Sequence, residues 1–288
     1  MMDLSALDFT HHRGRLVITL ALVALEFCWL WFVTARDLRR GRQLRRAPYD
    51  LKESFATLGV VIGQNLTRLA VAPLLAPIYL FAAGHRQFAI EMRGIVPWLL
   101  LILLVDFLYY WAHRASHRIA AFWATHSVHH SSTRFNLSAA YRLGWTNFLT
   151  ANWLMFLVPA LIGFPLPAVV LAVGLNLSYQ LLLHTTVVNR LGPLEWVLNT
   201  PNHHRVHHAT NASCLDRNFG GILILFDRLF RTFAEVRQNE PLQYGTLGRP
   251  RSYNPIAIAL GGWVELIAAM RRAGSAWRAM KTLFGRPV

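Results

Sequence analysis

Cysteine is scarce in this 288-residue chain, which contains only Cys28 and Cys214, far apart from each other. Zinc ribbons and iron–sulfur clusters need several cysteines at short spacings, so the sequence excludes both kinds of site. Two further motifs are absent. The chain has no His-Glu-x-x-His, which marks a zinc metalloprotease, and no Gly-x-Gly-x-x-Gly fingerprint for a dinucleotide. A redox activity would therefore need electrons from a separate donor.

Acidic residues are also few, at 14 against 29 lysines and arginines. Six arginines occur within residues 36–46, whereas residues 84–94 contain only Arg86 and Arg93. A basic loop that touches anionic lipid explains this run better than a nucleic-acid site does, so no nucleic-acid partner is expected.

Histidine, by contrast, is abundant in one part of the chain, where ten of the thirteen lie between positions 113 and 208. On a helix, positions i and i+4 share a face, and position i+3 lies close to it, so residues at these spacings can bind one metal ion together. A single such pair would more often be an ordinary surface or core pair, but packing does not explain three clusters. They are His113-Arg-Ala-Ser-His117, His126-Ser-Val-His129-His130 and His203-His204-Arg-Val-His207-His208.

The number of ligands predicts two metal ions. Even without His203 the clusters supply eight imidazoles, and one first-row ion accepts at most about six ligands. In each His-x-x-His-His triplet the three rings are expected to converge from one turn of helix. Imidazole suits iron, zinc and copper.

Composition predicts an integral membrane protein. Hydrophobic residues form 54% of the chain and the mean hydropathy is +0.33. Residues 16–34, 55–83 and 95–112 are each apolar and long enough to cross about 30 Å of hydrocarbon at about 1.5 Å per residue. Residues 147–183 carry no charge and contain several prolines, which predicts a tight hairpin of two spans or a helix pair that only partly crosses. The first stretch lacks a signal-peptide cleavage site and is expected to be retained.

The basic loop at residues 36–46 sets the predicted orientation. By the positive-inside rule this loop is cytoplasmic. Alternation from there brings all three histidine clusters to the cytoplasmic side and places His11, His12 and His85 across the membrane as bystanders. The prediction is an integral protein of a bacterial inner membrane, or of an ER-type membrane, with its active site facing the cytoplasm.

Three carboxylates are candidates to support the site. Asp106 lies two helical turns before His113, and Glu195 and Asp216 flank the third cluster. Each could accept the second ring N–H of a ligating imidazole, which fixes the tautomer and offsets the metal charge. Asp216 could instead cap a turn, and Glu195 could pair with an arginine. Further polar candidates are Asn202 and Asn218.

Four segments carry a resemblance to a known family. Together they resemble the fatty acid hydroxylase, or sterol desaturase, superfamily, and within it the alkylglycerol monooxygenases and their bacterial relatives. The resemblance covers about residues 106–233. The segments are Asp106-Phe-Leu-Tyr-Tyr-Trp-Ala-His113-Arg-Ala-Ser-His117, Trp123-Ala-Thr-His126-Ser-Val-His129-His130-Ser-Ser, Glu195-Trp-Val-Leu-Asn-Thr-Pro-Asn-His203-His204-Arg-Val-His207-His208 and Asp216-Arg-Asn-Phe-Gly-Gly-Ile-Leu-Ile-Leu-Phe-Asp227-Arg-Leu-Phe.

This resemblance implies an all-α fold, an integral membrane helical bundle with a cytosolic histidine-rich cap that holds a di-iron site. The family also has a histidine at the end of the span before the third motif, and His184 occupies that place, which makes it a ligand by resemblance. The candidate metal ligands are therefore His113, His117, His126, His129, His130, His184, His203, His204, His207 and His208.

Departures from the family pattern limit what the resemblance implies. Alkylglycerol monooxygenases tend to have acidic residues where Arg118 and Thr133 stand here. This difference weakens the expectation of a tetrahydrobiopterin-dependent ether cleavage. The cytochrome b5 domain that is fused to some fatty acid hydroxylases is also lacking, so a separate donor protein or reduced cofactor is expected.

The sequence thus predicts a membrane di-iron oxygenase that hydroxylates or desaturates a lipid C–H bond with O2 and external electrons. Ether lipids, fatty acyl chains and sterol-like lipids all remain open as substrates. Iron is the expected metal, and zinc is an alternative occupant of the sites after overexpression. The alternative is a membrane metal or haem carrier, whose histidines should lie inside the spans along a pathway.

Three regions are predicted. Residues 1–94 form the N-terminal spans and the basic loop, and residues 95–233 form the catalytic domain. Residues 234–288 form a C-terminal loop and a basic amphipathic tail, whose apolar stretch at 255–270 lies on the membrane or crosses it.

Overall fold

The structure is a computed structural model that describes residues 9–39, 49–236 and 240–287, without the side chains of residues 9–20 and 38–39. Over these residues the chain is helical and has no strand beyond two isolated bridges, which confirms the all-α prediction. The helices are α1 (Phe9–Arg39), α2 (Leu51–Gly84), α3 (Val96–Arg118), α4 (Ala120–His130), α5 (Leu154–Ile162), α6 (Leu166–Leu183), α7 (Pro201–His208), α8 (Leu225–Leu229), α9 (Pro255–Arg272) and α10 (Ala276–Phe284).

Three of the described helices, α2, α3 and α6, are long and apolar enough to cross a membrane. The span predicted at residues 16–34 lies in α1, which is not among these three, and part of it has no described side chains, so it stays a prediction. Most of the basic loop predicted at residues 36–46, and the side chains of His11 and His12, lie outside the described residues.

The apolar stretch at residues 147–183 forms an unequal hairpin. Short 3-10 turns lead into α5, which has 9 residues, and α6 has 18. The turn between them contains Gly163, whose φ of 130° favours glycine and whose missing side chain lets the backbone of Phe88 pack against it. At about 1.5 Å per residue α5 spans only about 14 Å, so α6 alone of the pair can cross the bilayer.

Helices α3 and α6 form the main apolar core of the membrane region. Leu101 and Val105 of α3 pack against Val169 and Val173 of α6, and all four are buried. The opposite side of α3 exposes large apolar side chains that end at Trp111, which is typical of a lipid-facing surface. The last turn of α3 then continues beyond this surface and carries His113 and His117.

The C-terminal helix α9 lies against the histidine-rich part of the chain rather than apart from it. Its buried residues Ile258 and Leu266 pack against α2 and α4 respectively. Gly262 faces the backbone of Ala124 in α4 so closely that a Cβ would lie 2.4 Å from the carbonyl oxygen. The stretch predicted at residues 255–270 is therefore a helix packed against the protein, and α9 is not among the candidate spans. The domain boundaries at residues 94 and 233 stay a prediction.

Candidate metal centre

Nine buried or half-buried histidines form two adjacent groups. Within each group the possible ligand nitrogens all lie within 4.8 Å of one another. The groups meet where the rings of His130 and His208 stack, with centroids 4.3 Å apart. The first group consists of His113, His117, His126, His130 and His207, and the second consists of His129, His184, His204 and His208.

The structure divides each His-x-x-His-His triplet between the two groups instead of bringing it to one ion. His126 and His130 join the first group, whereas His129 joins the second. In the other triplet, His207 belongs to the first group. Adjacent residues on a helix point about 100° apart, so positions i+3 and i+4 diverge and can serve different ions. Three i, i+4 pairs, 113/117, 126/130 and 204/208, each stay within one group, whereas His203 and His207 do not.

Backbone carbonyls orient several of the rings. The Nδ1–H of His113 donates to the Phe219 carbonyl at 2.9 Å, and that of His207 donates to the Arg217 carbonyl at 2.8 Å. Each bond places the proton on Nδ1 and leaves the Nε2 lone pair pointing into the site. Such bonds fix the tautomer and ring orientation that a metal ligand needs.

The second group contains the clearest sign that a cation fits. His129 and His184 donate from Nδ1 to the carbonyls of Arg142 and Gln180, at 3.2 and 2.9 Å. Both Nε2 atoms are therefore unprotonated, yet they face each other at 3.1 Å. Two lone pairs at this distance repel unless a cation lies between them, and ligands about 2.1 Å from one ion are separated by roughly 3 Å. The Nε2 of His204 approaches that of His184 at the same 3.1 Å.

Other buried ring nitrogens have no hydrogen-bond partner within the described residues. They include the Nε2 atoms of His117, His130 and His207 in the first group and of His208 in the second, together with the Nδ1 atoms of His203 and His204. Buried polar atoms are normally paired, so unpaired ring nitrogens in both groups are consistent with a metal ion in each. The donor set is made of imidazole nitrogens, which suit iron, zinc, copper or nickel.

Burial keeps the histidines neutral. It lowers the pKa of His129 to about 4 and that of His207 to about 3, because charged imidazolium loses its hydration. Burial and neighbouring histidines also lower the pKa of His130, His204 and His208 well below the usual value. Neutral imidazole is the form that binds metal, so the cap presents its ligands ready for coordination near pH 7.

His203 lies outside both groups, although it was predicted as a ligand. Its ring packs edge-on against Phe233, with centroids 5.3 Å apart, and its backbone carbonyl accepts a hydrogen bond from Asn218. His203 lies one helical turn before His207 on α7, yet only His207 belongs to a group. His85 is also outside the groups and bonds to the Phe81 carbonyl at the end of α2.

Of the three predicted carboxylates, only Asp216 approaches a ligand ring. Its Oδ1 lies 3.7 Å from Nδ1 of His117, and its Oδ2 lies 3.3 Å from Nε of Arg118. Glu195 instead accepts from the amide of Leu191 and the hydroxyl of Thr200, so it supports the turn before α7. Neither of these hydrogen bonds joins Glu195 to an imidazole, which was the predicted role.

Asp106 was predicted to accept a hydrogen bond from an imidazole, but it binds the backbone of a neighbouring segment instead. It accepts from the amides of Ile222 and Leu223, at 2.7 and 2.9 Å, and from the side chain of Asn176 at 2.7 Å. A Cβ on Gly221 would lie 2.5 Å from Asp106 Oδ1, so this close approach requires glycine. Asp106 thus holds residues 219–223, the segment whose Phe219 carbonyl orients His113.

Asp227 holds the other end of the same segment, and the sequence prediction did not include it in the site. It accepts from the amides of Phe219 and Gly220, at 2.8 and 2.7 Å, and from the Thr232 hydroxyl at 2.6 Å. Burial raises the pKa of Asp227, which the three hydrogen bonds oppose. Its position in the Asp216-to-Phe230 motif was the only sequence signal for it.

Arg142 is a second support that the sequence did not reveal. The side chain is almost fully buried and donates to the Glu53 carbonyl at 3.0 Å and to the Thr57 hydroxyl at 2.9 Å, both on α2. Its own carbonyl accepts from His129. Helix α2 therefore helps to position a ligand through Arg142.

The two predicted asparagines have structural roles. Asn218, at a positive φ of 55°, donates to the His203 and Ala234 carbonyls and so links α7 to the chain at Ala234. The side-chain oxygen of Asn202 accepts from Arg205 at 3.3 Å. Neither contacts a ligand ring in these bonds.

The chain was also compared with known proteins. Residues 98–232 match the family model for fatty acid hydroxylases. Human alkylglycerol monooxygenase is 41% identical over 254 residues, which are 87% of this chain and 53% of that protein. The Xenopus tropicalis alkylglycerol monooxygenase is 33% identical over 257 residues, 88% of this chain and 53% of that protein.

A bacterial relative, the ornithine lipid hydroxylase OlsE of Rhizobium tropici, is 29% identical over 173 residues, 60% of this chain and 50% of that protein. The chain spans about half the length of these curated relatives. No solved structure matches it. The family match covers α3, α4, α6 and α7, the helices that carry the two histidine groups or end beside them. The two histidine groups therefore lie in a region, residues 98–232, that matches the fatty acid hydroxylase family.

Proposed function

We propose that this chain is a membrane di-iron oxygenase that hydroxylates a C–H bond of a lipid with O2 and electrons from an external donor. The observation that carries the proposal is the pair of adjacent imidazole groups, with opposed Nε2 lone pairs 3.1 Å apart, at the ends of apolar helices. The names of the relatives, monooxygenase and lipid hydroxylase, support this class of reaction.

The nine histidines would hold one ion with five nitrogens and the other with four. Two iron ions bound there would supply the redox chemistry that activates O2 for oxidation of a C–H bond. With about six positions per ion, these ligand sets leave roughly one and two positions open for small molecules. The backbone carbonyls that hold each Nδ1–H keep the rings in place, and the buried site excludes bulk water.

The position of the centre suits a lipid substrate. His113 lies two residues after Trp111, at the end of the lipid-facing surface of α3, and His184 directly follows the apolar helix α6. An acyl or alkyl chain could therefore approach the site from the bilayer without passing through water. The proposed site faces the cytoplasm, on the side of the basic loop.

Hydroxylation is favoured over desaturation because the relatives are named as a monooxygenase and a hydroxylase. By analogy with them, the proposed substrate is a membrane lipid with a polar head and a saturated chain. The carrier alternative is less well supported, since the nine histidines form one compact centre rather than a path through α2, α3 or α6.

The test is reconstitution of the purified chain in lipid nanodiscs with ferrous iron under anaerobic conditions. Elemental analysis should then find two iron ions per chain. After addition of a chemical reductant and 18O2, mass spectrometry of the extracted lipids should detect a product heavier by one 18O atom. The zinc-loaded protein is the matched control and should give no such product. Stoichiometric iron binding without any oxygenated lipid, across total lipid extracts from several sources, would contradict the proposal.

A further inference from the structure

We propose that helix α10 is an interfacial anchor that docks on an anionic lipid bilayer through Trp277, Met280 and Phe284. The proposal concerns the membrane surface and does not depend on the reaction at the metal centre.

One stripe of α10 is apolar and exposed. Trp277, Met280 and Phe284 occupy positions i, i+3 and i+7, which lie on one side of a helix, and their exposed fractions are 69%, 47% and 59%. The neighbouring side of the same helix packs against the protein, where Leu283 contacts a cluster formed by α4 and α9. The stripe formed by Trp277, Met280 and Phe284 is therefore exposed, while the side of α10 that carries Leu283 packs against the described residues.

Positive charge borders this stripe. The region from Arg271 to Arg286 contains five basic residues and no acidic one. All five are exposed, and none forms an ion pair with a carboxylate in the described part of the chain. Lys281 lies over the ring of Trp277 at 5.2 Å. A tryptophan beside basic side chains suits the headgroup region of a bilayer, where apolar rings insert and cationic groups meet phosphate. A surface whose charged residues are all basic suits an anionic bilayer better than a protein partner, which would usually present charges of both signs.

The helix is attached close to where the membrane surface should be. The lipid-facing side of α3 ends at Trp111, whose ring is covered by Arg114 at 5.3 Å. From Trp111 to Arg118 the helix rises about 10 Å. Helix α4 begins directly afterwards, and α10 packs against it. An interfacial helix buries its apolar face about 5–10 Å into the boundary between headgroups and acyl chains, and α10 contacts a helix that begins about 10 Å along α3 from the end of the lipid-facing surface.

A hydrogen bond links the anchor to the metal centre. The amide of Ala120, at the start of α4, donates to the carbonyl of Gly285 at 2.8 Å. No side chain caps this end of α4, so the carbonyl satisfies an amide that the helix itself leaves unpaired. Because α4 carries His126, His129 and His130, docking of α10 would steady the first turn of a ligand-bearing helix.

The first experiment measures the depth of α10 in nanodiscs that contain phosphatidylglycerol. A bimane probe is attached to the full chain through Met280→Cys, or through Thr282→Cys on the opposite side of the same helix, in a background with Cys28→Ser and Cys214→Ala. Lipids that carry a doxyl quencher should quench the Met280 probe several-fold more than the Thr282 probe. Equal quenching of both probes would overturn the proposal. So would shielding of the Met280 probe by a second copy of the chain, detected as a dimer.

The second experiment starts from the unlabelled parent chain, so its main comparison does not depend on a variant that folds. Hydrogen exchange of the peptides that contain α10 and Ala120 is compared in nanodiscs with and without phosphatidylglycerol. Both peptides should exchange several-fold more slowly with the anionic lipid, whereas residues 86–94, predicted on the opposite side, should not change. Since each basic contact is worth about a factor of five, Lys281→Glu should remove much of the protection, and Arg93→Glu, the matched control, should leave it intact. Exchange in α10 that is independent of lipid charge would refute the anchor.

Discussion

Replacement of Asp227 by alanine should damage the metal centre although Asp227 touches no metal ligand. The carboxylate accepts three hydrogen bonds, from the amides of Phe219 and Gly220 and from the hydroxyl of Thr232. Asp227→Ala leaves these three buried donors without their acceptor. At about 1–2 kcal/mol for each, the loss amounts to roughly 3–6 kcal/mol, a large part of a typical stability of about 5–15 kcal/mol.

The effect should reach the metal through one carbonyl. The carbonyl of Phe219 accepts the Nδ1–H of His113. A shift of residues 219–223 would therefore tilt this ring, and the proton would no longer be held on Nδ1. Loss of such a supporting hydrogen bond typically costs about 10–100-fold in metal affinity. The assays are thermal unfolding in mixed micelles and competition for the bound metal with a calibrated chelator. Asp227→Asn keeps one carbonyl oxygen and should give an intermediate loss in both.

Glu91→Ala provides the matched control because it removes a carboxylate from an exposed ion pair with Arg93. Its effect should stay below about 1 kcal/mol. The reasoning fails if Asp227→Ala unfolds like the parent protein and competes equally well with the chelator, because the 219–223 segment would then not depend on Asp227.

Three further predictions follow from the centre and its location. His208→Ala should lower the metal content from two ions to about one, whereas His203→Ala should retain both by elemental analysis; equal losses in the two variants would return His203 to the ligand set. In the metal-free protein, the pKa of His129 is about 4 when folded and 6.5 when unfolded, so the unfolded chain binds more protons between these values. Its stability should therefore fall as the pH drops from 6.5 towards 4, by up to about 1.4 kcal/mol per pH unit for this group, and a stability that is flat over this range in chemical denaturation would contradict the burial argument. A cysteine placed near Asn211 should resist a membrane-impermeant thiol reagent in intact cells while one near Arg86 reacts, and the opposite pattern would move the site out of the cytoplasm.

The amino-acid sequence determined the helical class, the apolar helices and most of the histidines that the structure brings together. Helical spacing and membrane hydropathy are local properties, so α3 with His113 and His117, and α4 with its three histidines, follow directly from residue types along the chain. His184 required the family resemblance, because one histidine at the end of an apolar helix carries no pattern of its own. Counting imidazoles also predicted two ions, since ligand number does not depend on the fold.

Tertiary structure alone decided which histidines lie in the same group. Adjacent side chains on a helix diverge by about 100°, so His129 and His130 turn to different groups, and only the packing of α4 against α7 and the end of α6 assigns them. The supports of the rings were equally hidden. Asp227 and Arg142 act through backbone carbonyls, and every residue offers the same carbonyl, so the sequence cannot show which of them will accept an imidazole proton.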